Sequence, residues 1–197
     1  MQHARQESSE WGPIETTVPG LGYEFATGRL ELRTGGPRRP SAGLAWVARR
    51  SLLEKHQLYD ARVIGGGDSS IAWAALGTFD QCRESLRLNA REEKHYRAWA
   101  EPFFADVGGR IGYVDGRAFH LWHGDFMDRS YEQRHQGFAR LDFDPFSDVA
   151  LRHDGCWRWS SEKPELHEYV KSYFFARNED SLLSPAPITP SLQAIKV

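Results

Sequence analysis

Apolar and polar residues alternate in the first quarter of the chain, which is the pattern of half-buried β-strands. The alternation between residues 23 and 33 predicts one or two short strands, and the apolar run of residues 43–48 predicts a buried strand. Residues 49–56 follow with the spacing of a short helix. The first part of the domain is therefore predicted to be a set of short strands, the last of which leads into a helix.

Apolar residues recur at intervals of three to four through much of the remaining chain, which is the spacing of amphipathic helices. Residues 69–76 are predicted to form a helix that Gly77 ends, and residues 79–105 are predicted to form two more. Residues 131–141 and 164–177 have the same spacing. These segments supply the helices that would flank a small sheet.

Two Asp-Gly dipeptides, at positions 115–116 and 154–155, are typical of tight turns in β-hairpins. The strands that they would join are residues 110–114, 117–123, 148–151 and 156–159. Together with the helices, these strands predict an α/β (α+β) fold with a short mixed sheet flanked by helices.

The two ends of the chain differ from the middle. Residues 1–20 are polar and interrupted by prolines, and the segment from residue 184 onward contains three prolines. We expect disorder in residues 1–20 and 179–197. The remaining residues, 21–178, have the length of one domain.

Charged residues are nearly balanced, since 25 basic and 27 acidic side chains give a net charge of −2. No global positive charge would attract nucleic acid or an anionic membrane. Cys82 and Cys156 lack the spacing of a metal knuckle, which fits a reducing compartment. No apolar run approaches the roughly 20 residues needed to cross a bilayer, and no signal-peptide core follows Met1. We therefore expect a cytoplasmic protein without a transmembrane segment.

Aromatic residues make up 13% of the chain, and seven residues are tryptophans. Indole rings are common in sugar sites, because the ring face covers the C–H face of a pyranose while the N–H group remains free to donate a hydrogen bond. Core packing is the alternative role for each tryptophan.

Three consecutive glycines precede a carboxylate in the sequence Gly65-Gly66-Gly67-Asp68. The sequence has neither the spacing of a dinucleotide-binding motif nor the lysine of a phosphate-binding loop. Its side-chain-free backbone would let a bulky acceptor approach, and Asp68 would then take a proton from an attacking hydroxyl group as a general base. Asp68 also stands where a helix N-cap is expected, so a purely structural role is the alternative.

His120 and His123 stand three residues apart on a predicted strand, and Gly124 would allow this strand to bend. Two histidines placed in this way can converge on one divalent ion, although such pairs also occur by chance. The Asp142-Phe143-Asp144 sequence follows a polar helix and precedes a proline. We expect a capping or turn role for these two aspartates.

In the order of its elements, the chain from about residue 40 to about residue 175 resembles the C-terminal, acceptor-side region of GT-A-fold glycosyltransferases of the β-1,4-galactosyltransferase-like, family 2-like kind. In that family a glycine-bearing strand enters a helix, as residues 41–50 do here. A Gly-Trp-Gly-Gly-Glu-Asp loop then opens the acceptor-side helix, and Gly65-Gly66-Gly67-Asp68 occupies its position. A later Met-x-x-His segment binds metal, and His120-Leu121-Trp122-His123 falls at that place.

This resemblance implies the C-terminal half of a GT-A-like fold and an enzyme that transfers a hexose, with inversion, from a nucleotide-sugar to a glycan or other hydroxyl acceptor. It implies that Asp68 is the catalytic base. It implies that a divalent metal, Mn²⁺ or Mg²⁺, is bound by His120 and His123. The residues that would contact the acceptor sugar are Gly65, Gly66, Gly67, Trp46, Trp73 and Trp122. The residues that would neutralise phosphate are Arg129 and Arg134, for which a solvated helix face is the alternative.

The chain departs from the family pattern in two respects. The loop tryptophan and one of its two consecutive acids have no counterpart here, so the acceptor contacts must differ. The nucleotide-binding half of the family, which carries a DxD motif, has no counterpart either. About 40 residues precede Gly43, whereas each βαβ unit of such a half takes roughly 30 residues or more. We therefore expect a separate N-terminal half to supply the nucleotide site.

Two other function classes fit parts of the sequence. A non-catalytic module derived from the same fold would recognise a glycan or a protein partner through its aromatic residues. A small metal-dependent hydrolase would use the histidine pair, but it needs a third ligand, and the sequence indicates none. The transferase half accounts for the most motifs, the binding module for fewer, and the hydrolase for the fewest.

Overall fold

The structure, a computed structural model, describes residues 8–9, 12–30, 41–43, 45–121, 126–177 and 192–196. Its strands are β1 (Ser8–Ser9), β2 (Gly12–Pro19), β3 (Arg117–Leu121), β4 (Val149–Leu151), β5 (Trp157–Trp159) and β6 (Leu192–Lys196). Its helices are α1 (Leu21–Ala26), α2 (Arg50–His56), α3 (Gly67–Leu76), α4 (Phe79–Leu86), α5 (Ala90–Val107), α6 (Gln133–Phe138) and α7 (Pro164–Ala176), with a 3-10 helix over Phe126–Arg129. The described chain is an α+β mixture in which helices predominate.

The chain divides into two compact units. The unit that we call the strand unit is formed from residues 1–45, 111–125 and 178–197. The unit that we call the helical unit is formed from residues 46–110 and 126–177. The glycine loop and Asp68 belong to the helical unit, whereas His120 belongs to the strand unit.

The sheet of the strand unit has the order β1-β2-β6-β3. β2 runs parallel to β6, with Val18 opposite Ile195, and β3 runs antiparallel to β6, with Ala118 opposite the same residue. β2 and β6 lie in terminal segments for which the sequence predicted disorder. Local composition does not reveal them, because strand pairing depends on partners that are distant along the chain.

Helix α1 forms where the alternation of apolar residues predicted a strand, so that prediction is wrong. Gly20 has an extended backbone, and its carbonyl accepts a hydrogen bond from the Glu24 N–H at 3.1 Å. Tyr23 packs edge-on against Tyr113, with ring centroids 5.3 Å apart. Tertiary contacts of this kind override an alternation that covers only a few residues. Residues 31–33 lie outside the described part of the chain.

Two further strand predictions are wrong where the structure describes the chain. Residues 45–48 have no regular structure, and Val47 is 92% exposed, so this apolar run is not a buried strand. Residues 111–114 are also irregular, and β3 pairs with β6 instead of with them. A short apolar run does not by itself distinguish a strand from a helix or a loop, which explains both errors.

The helix and hairpin predictions in the helical unit are largely confirmed. Gly77 and Gly108 end α3 and α5 in the left-handed conformation that glycine adopts without steric cost. α7 begins at Pro164, a position where the missing N–H group has no helical partner to lose. β4 and β5 pair antiparallel, and Gly155 of the predicted turn has a φ of 80°.

The helical unit contains two packed regions. In one region α3 lies against α5 through the small side chains Ala72 and Ala74, both 0% exposed, and Tyr96 donates a hydrogen bond to the Ser70 carbonyl at 2.8 Å. In the other region α6, α7 and the β4–β5 hairpin enclose a cluster of buried residues: Ile64, Phe138, Phe143, Val149, Leu166, Val170 and Tyr173. Burial of these apolar surfaces supplies most of the stabilisation of the unit.

A buried ion pair joins the segment before the glycine loop to the start of α5. The side chains of Arg62 and Glu92 are each 3% exposed and form a salt bridge. Arg62 Nη2 also donates to the Leu86 carbonyl, 2.6 Å away at the end of α4. Burial lowers the pKa of Arg62, and the carboxylate of Glu92 counteracts this effect. Burial raises the pKa of Glu92, and the guanidinium of Arg62 counteracts that effect in turn.

Glu92 has a second role as part of the N-terminal cap of α5. The backbone N–H of Asn89 donates to Glu92 Oε2 at 3.0 Å, and the backbone N–H of Glu92 donates to Asn89 Oδ1 at 3.0 Å. This reciprocal arrangement satisfies two backbone donors at the start of the helix. One carboxylate therefore holds both the helix end and the buried arginine.

We predict that Glu92→Ala lowers the free energy of unfolding by about 3–5 kcal/mol, because it leaves the buried Arg62 guanidinium without a counter-charge. The matched control is Glu93→Ala, one residue further along the helix, where the more exposed pair with Arg97 is worth about 1 kcal/mol or less. Urea unfolding followed by circular dichroism measures both changes. Equal losses in the two variants would contradict this account of the buried pair.

Candidate functional site

The glycine loop adopts a backbone conformation that other residues rarely adopt. Gly65 and Gly66 have φ angles of 84° and 92°, both in the left-handed region. Gly66 is the N-cap of α3, and Gly67 is the first residue of the helix. A Cβ at Gly67 would lie 3.4 Å from the Tyr59 carbonyl oxygen, so the chain before the loop also runs close to it.

Asp68 is the second residue of α3, and its side chain is exposed. Its Oδ1 accepts a hydrogen bond from the adjacent Ser69 N–H at 2.8 Å. Since Gly66 occupies the N-cap, Asp68 is not the capping residue that the sequence left open as its alternative role. Among the described residues no cation lies within 4.0 Å of the Asp68 carboxylate, which is therefore open to solvent and to a ligand.

Residues of α4 and α6 form the floor of the loop. A Cβ at Gly66 would lie 2.9 Å from Leu86 Cδ2 and 3.5 Å from His135 Cε1, whereas a Cβ at Gly65 would lie 3.6 Å from the guanidinium of Arg134. The loop therefore packs directly on Leu86, Arg134 and His135, and a side chain at Gly66 would have to displace the Leu86 side chain in addition to adopting a left-handed φ.

His135 lies between two arginines. Its Nδ1 is 3.2 Å from Arg62 Nη2, and its Nε2 is 3.3 Å from Arg134 Nε. His135 is 5% exposed, so these contacts occur away from water. The buried polar groups beneath the loop are thus linked from Glu92 through Arg62 and His135 to Arg134.

Arg134 is half-buried and is held by two tyrosines. Its Nη1 donates to the hydroxyl of Tyr173 at 2.5 Å. Its guanidinium carbon lies 4.9 Å from the ring centroid of Tyr131 and 5.5 Å from that of Tyr173, within the range of cation–π attraction. Arg129 lies nearby in the 3-10 helix and donates to the Tyr131 hydroxyl at 3.0 Å. Of the two arginines expected to neutralise phosphate, the structure brings Arg134 to the glycine loop.

The tryptophans predicted to contact sugar lie in different places. Trp46 is 42% exposed in the irregular segment before α2, and Trp73 is half-buried in α3, five residues after Asp68. Trp122 lies outside the described residues. The sugar-binding roles of these tryptophans stay predictions.

The predicted metal ligands are only partly described. The backbone of His120 lies in β3 opposite Gln193 of β6, and His123 lies outside the described residues. Within the part of the chain that the structure describes, no group of three or more His, Cys, Asp or Glu side chains is placed to hold a metal ion. Metal binding by the histidine pair stays a prediction.

The turn role expected for the Asp142-Phe143-Asp144 sequence is confirmed. Asp142 has a left-handed φ of 47° and pairs with Arg91 at 2.8 Å. Asp144 Oδ1 accepts a hydrogen bond from the Phe146 N–H at 3.0 Å, as in a turn that an aspartate stabilises. Both carboxylates are thus engaged in local structure.

Sequence reasoning missed the residues that support the loop. Arg62 lies just before the glycine loop, and nothing in its local sequence indicates burial. The Asn89-x-x-Glu92 spacing does signal a capping box and would have located the helix start. His135 and Tyr173 are recognised only from the fold, since they come from helices that are far from the loop along the chain.

No helix in the described residues combines the length and the apolar character that a membrane span needs.

We predict that Gly66→Ala destabilises the protein more than Gly65→Ala does. Both substitutions place a side chain at a left-handed φ, at a cost of about 1–2 kcal/mol. Only the Cβ at Gly66 would also collide with Leu86, which adds about 1–3 kcal/mol for overpacking. The difference is measured by urea unfolding, and equal stabilities of the two variants would contradict the packing described here.

Comparisons with known proteins complete the description of the site. No protein-family model matches the chain, and no match was found among curated proteins or solved structures. The chemistry that the chain performs is therefore inferred from the residues around the glycine loop.

Proposed function

We propose that this chain is the acceptor-side half of a metal-dependent, GT-A-like glycosyltransferase that uses a nucleotide-sugar donor. The observation that carries the proposal is the exposed Asp68 carboxylate at the start of α3, directly after a loop of three glycines. A transfer to a sugar hydroxyl needs a base that a bulky acceptor can reach, and a loop without side chains leaves room for one.

The backbone around Asp68 supports a role for this carboxylate as a base with a fixed orientation. Asp68 stands on a helix, and the preceding turn is fixed by left-handed glycines that pack on Leu86 and His135. A catalytic group on a rigid element keeps its orientation as the substrate binds. The hydrogen bond from the Ser69 N–H leaves further lone pairs of the carboxylate to accept a proton.

The proposed reaction is a single displacement at the anomeric carbon of the donor sugar. The acceptor hydroxyl oxygen forms the new bond, its proton passes to Asp68, and the bond to the nucleoside diphosphate breaks. Bond formation opposite to the leaving group inverts the configuration of the anomeric carbon. A metal ion, Mn²⁺ or Mg²⁺, would stabilise the departing diphosphate, and we propose His120 and His123 as two of its ligands.

A nucleotide-binding part completes this enzyme. We propose that it comes from a separate N-terminal half, as the resemblance to GT-A-fold glycosyltransferases implies. The same proposal makes Trp73 and Trp46 candidate contacts for the acceptor sugar. In this proposal the glycan acceptor binds to the helical unit.

We predict that Asp68→Asn lowers kcat for sugar transfer by about 10²–10⁴-fold while the protein stays folded, since the amide cannot accept the proton. The control is Asp80→Asn, an exposed aspartate at the equivalent second position of α4. Transfer is measured with radiolabelled nucleotide-hexoses and Mn²⁺, with and without a chelator, on protein purified so that any partner subunit stays bound.

Two results of this assay would contradict the proposal. One is transfer that Asp68→Asn and Asp80→Asn reduce equally, because the carboxylate would then have no special role. The other is saturable glycan binding by a protein that transfers no sugar with any subunit present, which would favour the non-catalytic binding module.

A further inference from the structure

The charges beneath the glycine loop are unequal in number. Arg62 and Arg134 lie on either side of His135, and Glu92 pairs with Arg62. In the described chain no carboxylate lies within 4.0 Å of the Arg134 guanidinium. Burial is the main cause that lowers the pKa of Arg62, and charge repulsion from Arg134 lowers it slightly further, so the two cations influence each other. Within the part of the chain that the structure describes, the Arg134 guanidinium therefore carries a positive charge that no neighbouring carboxylate pairs with.

The neighbours of Arg134 fix its position without supplying a negative charge. Tyr173 accepts a hydrogen bond through its hydroxyl, both tyrosine rings face the guanidinium, and His135 contacts Nε. These contacts hold the half-buried Arg134 guanidinium in one orientation, so little side-chain entropy is lost when a ligand binds.

The position of this cation relative to Asp68 is restricted by the chain. The guanidinium lies 3.6 Å from the position of a Cβ on Gly65, and Gly65 is three residues before Asp68. Three peptide units span at most about 11 Å between Cα atoms. The two side chains therefore lie near opposite ends of the same short loop, within the length of a substrate such as a disaccharide or a sugar nucleotide.

We propose that Arg134 and the glycine loop form a binding site for an anionic oxygen group, a phosphate or a carboxylate, of the substrate that reacts at Asp68. A guanidinium binds such groups through paired N–H donors, and the glycines let the group approach the backbone closely. The group belongs either to the diphosphate of the donor or to an acidic sugar of the acceptor. The assignment of the site to a transferase rests on the proposed function, whereas the anion site itself rests on the geometry of Arg134.

The test is an NMR titration of the ¹⁵N-labelled chain at constant ionic strength, followed through the amide signals of Gly65, Gly66 and Gly67. The probes are pyrophosphate, glucuronate and, as the neutral comparison, glucose. The variants are Arg134→Gln, Arg134→Lys and the control Arg140→Gln, which removes an exposed arginine just after α6. Thermal unfolding of each variant shows whether it is folded, and Arg134→Lys keeps the charge where the glutamine variant does not.

We expect pyrophosphate or glucuronate to shift the loop signals saturably, with glucose at least about tenfold weaker. Arg134→Gln weakens binding of the anion about tenfold or more, Arg134→Lys weakens it less, and Arg140→Gln leaves it unchanged. Preference for pyrophosphate assigns the site to the donor, and preference for glucuronate assigns it to an acidic acceptor. Loop signals that no anion shifts, or that shift equally in wild type and folded Arg134→Gln, would overturn the proposal.

The outcome separates this proposal from the proposed function. If anion binding depends on Arg134 but sugar transfer does not depend on Asp68, the anion site stands and the proposed transferase function is wrong. If sugar transfer depends on Asp68 but no anion shifts the loop signals, the transferase function stands and the anion site is wrong.

Discussion

The buried pair of Arg62 and Glu92 is the interaction on which the helical unit depends. Its two side chains are almost fully removed from water, so each would be strongly destabilising without the other. Arg62 stands three residues before Gly65, and Glu92 is part of the cap of α5. The pair therefore holds the entrance to the glycine loop at a fixed distance from the longest helix. The hydrogen bond from Arg62 to the Leu86 carbonyl also fixes the end of α4 against this pair.

Further contacts extend this constraint to the rest of the unit. Asn89, which caps α5 together with Glu92, donates to the Phe143 carbonyl at 2.8 Å and so ties the cap to the core between α6 and α7. His135 and Arg134 then pack against the loop from α6. Asp68 is consequently presented by a helix whose preceding turn is supported from two sides. A loop that has no side chains of its own obtains its shape from these neighbours.

The sequence predicted most of this unit but not what holds it together. Gly77, Pro164 and Asp154-Gly155 act through local backbone preferences, so the elements that they delimit were recognisable. β2 and β6 pair across nearly the whole chain, and such pairing leaves no local signal. The candidate site shows the same division. Asp68 and the glycines were visible as a motif, whereas Arg62, whose role arises only when α4, α5 and α6 meet, was not.

The central claim is that the glycine loop and Asp68 form the place where a saccharide acceptor binds. The most direct measurement is a map of amide chemical-shift changes in the ¹⁵N-labelled chain on addition of a panel of neutral and acidic oligosaccharides. The account predicts that the binding saccharides perturb a continuous set of signals centred on residues 65–69 and extending to Arg134. Perturbations centred elsewhere, for example on the tryptophans of β5, with the loop signals unchanged, would contradict it.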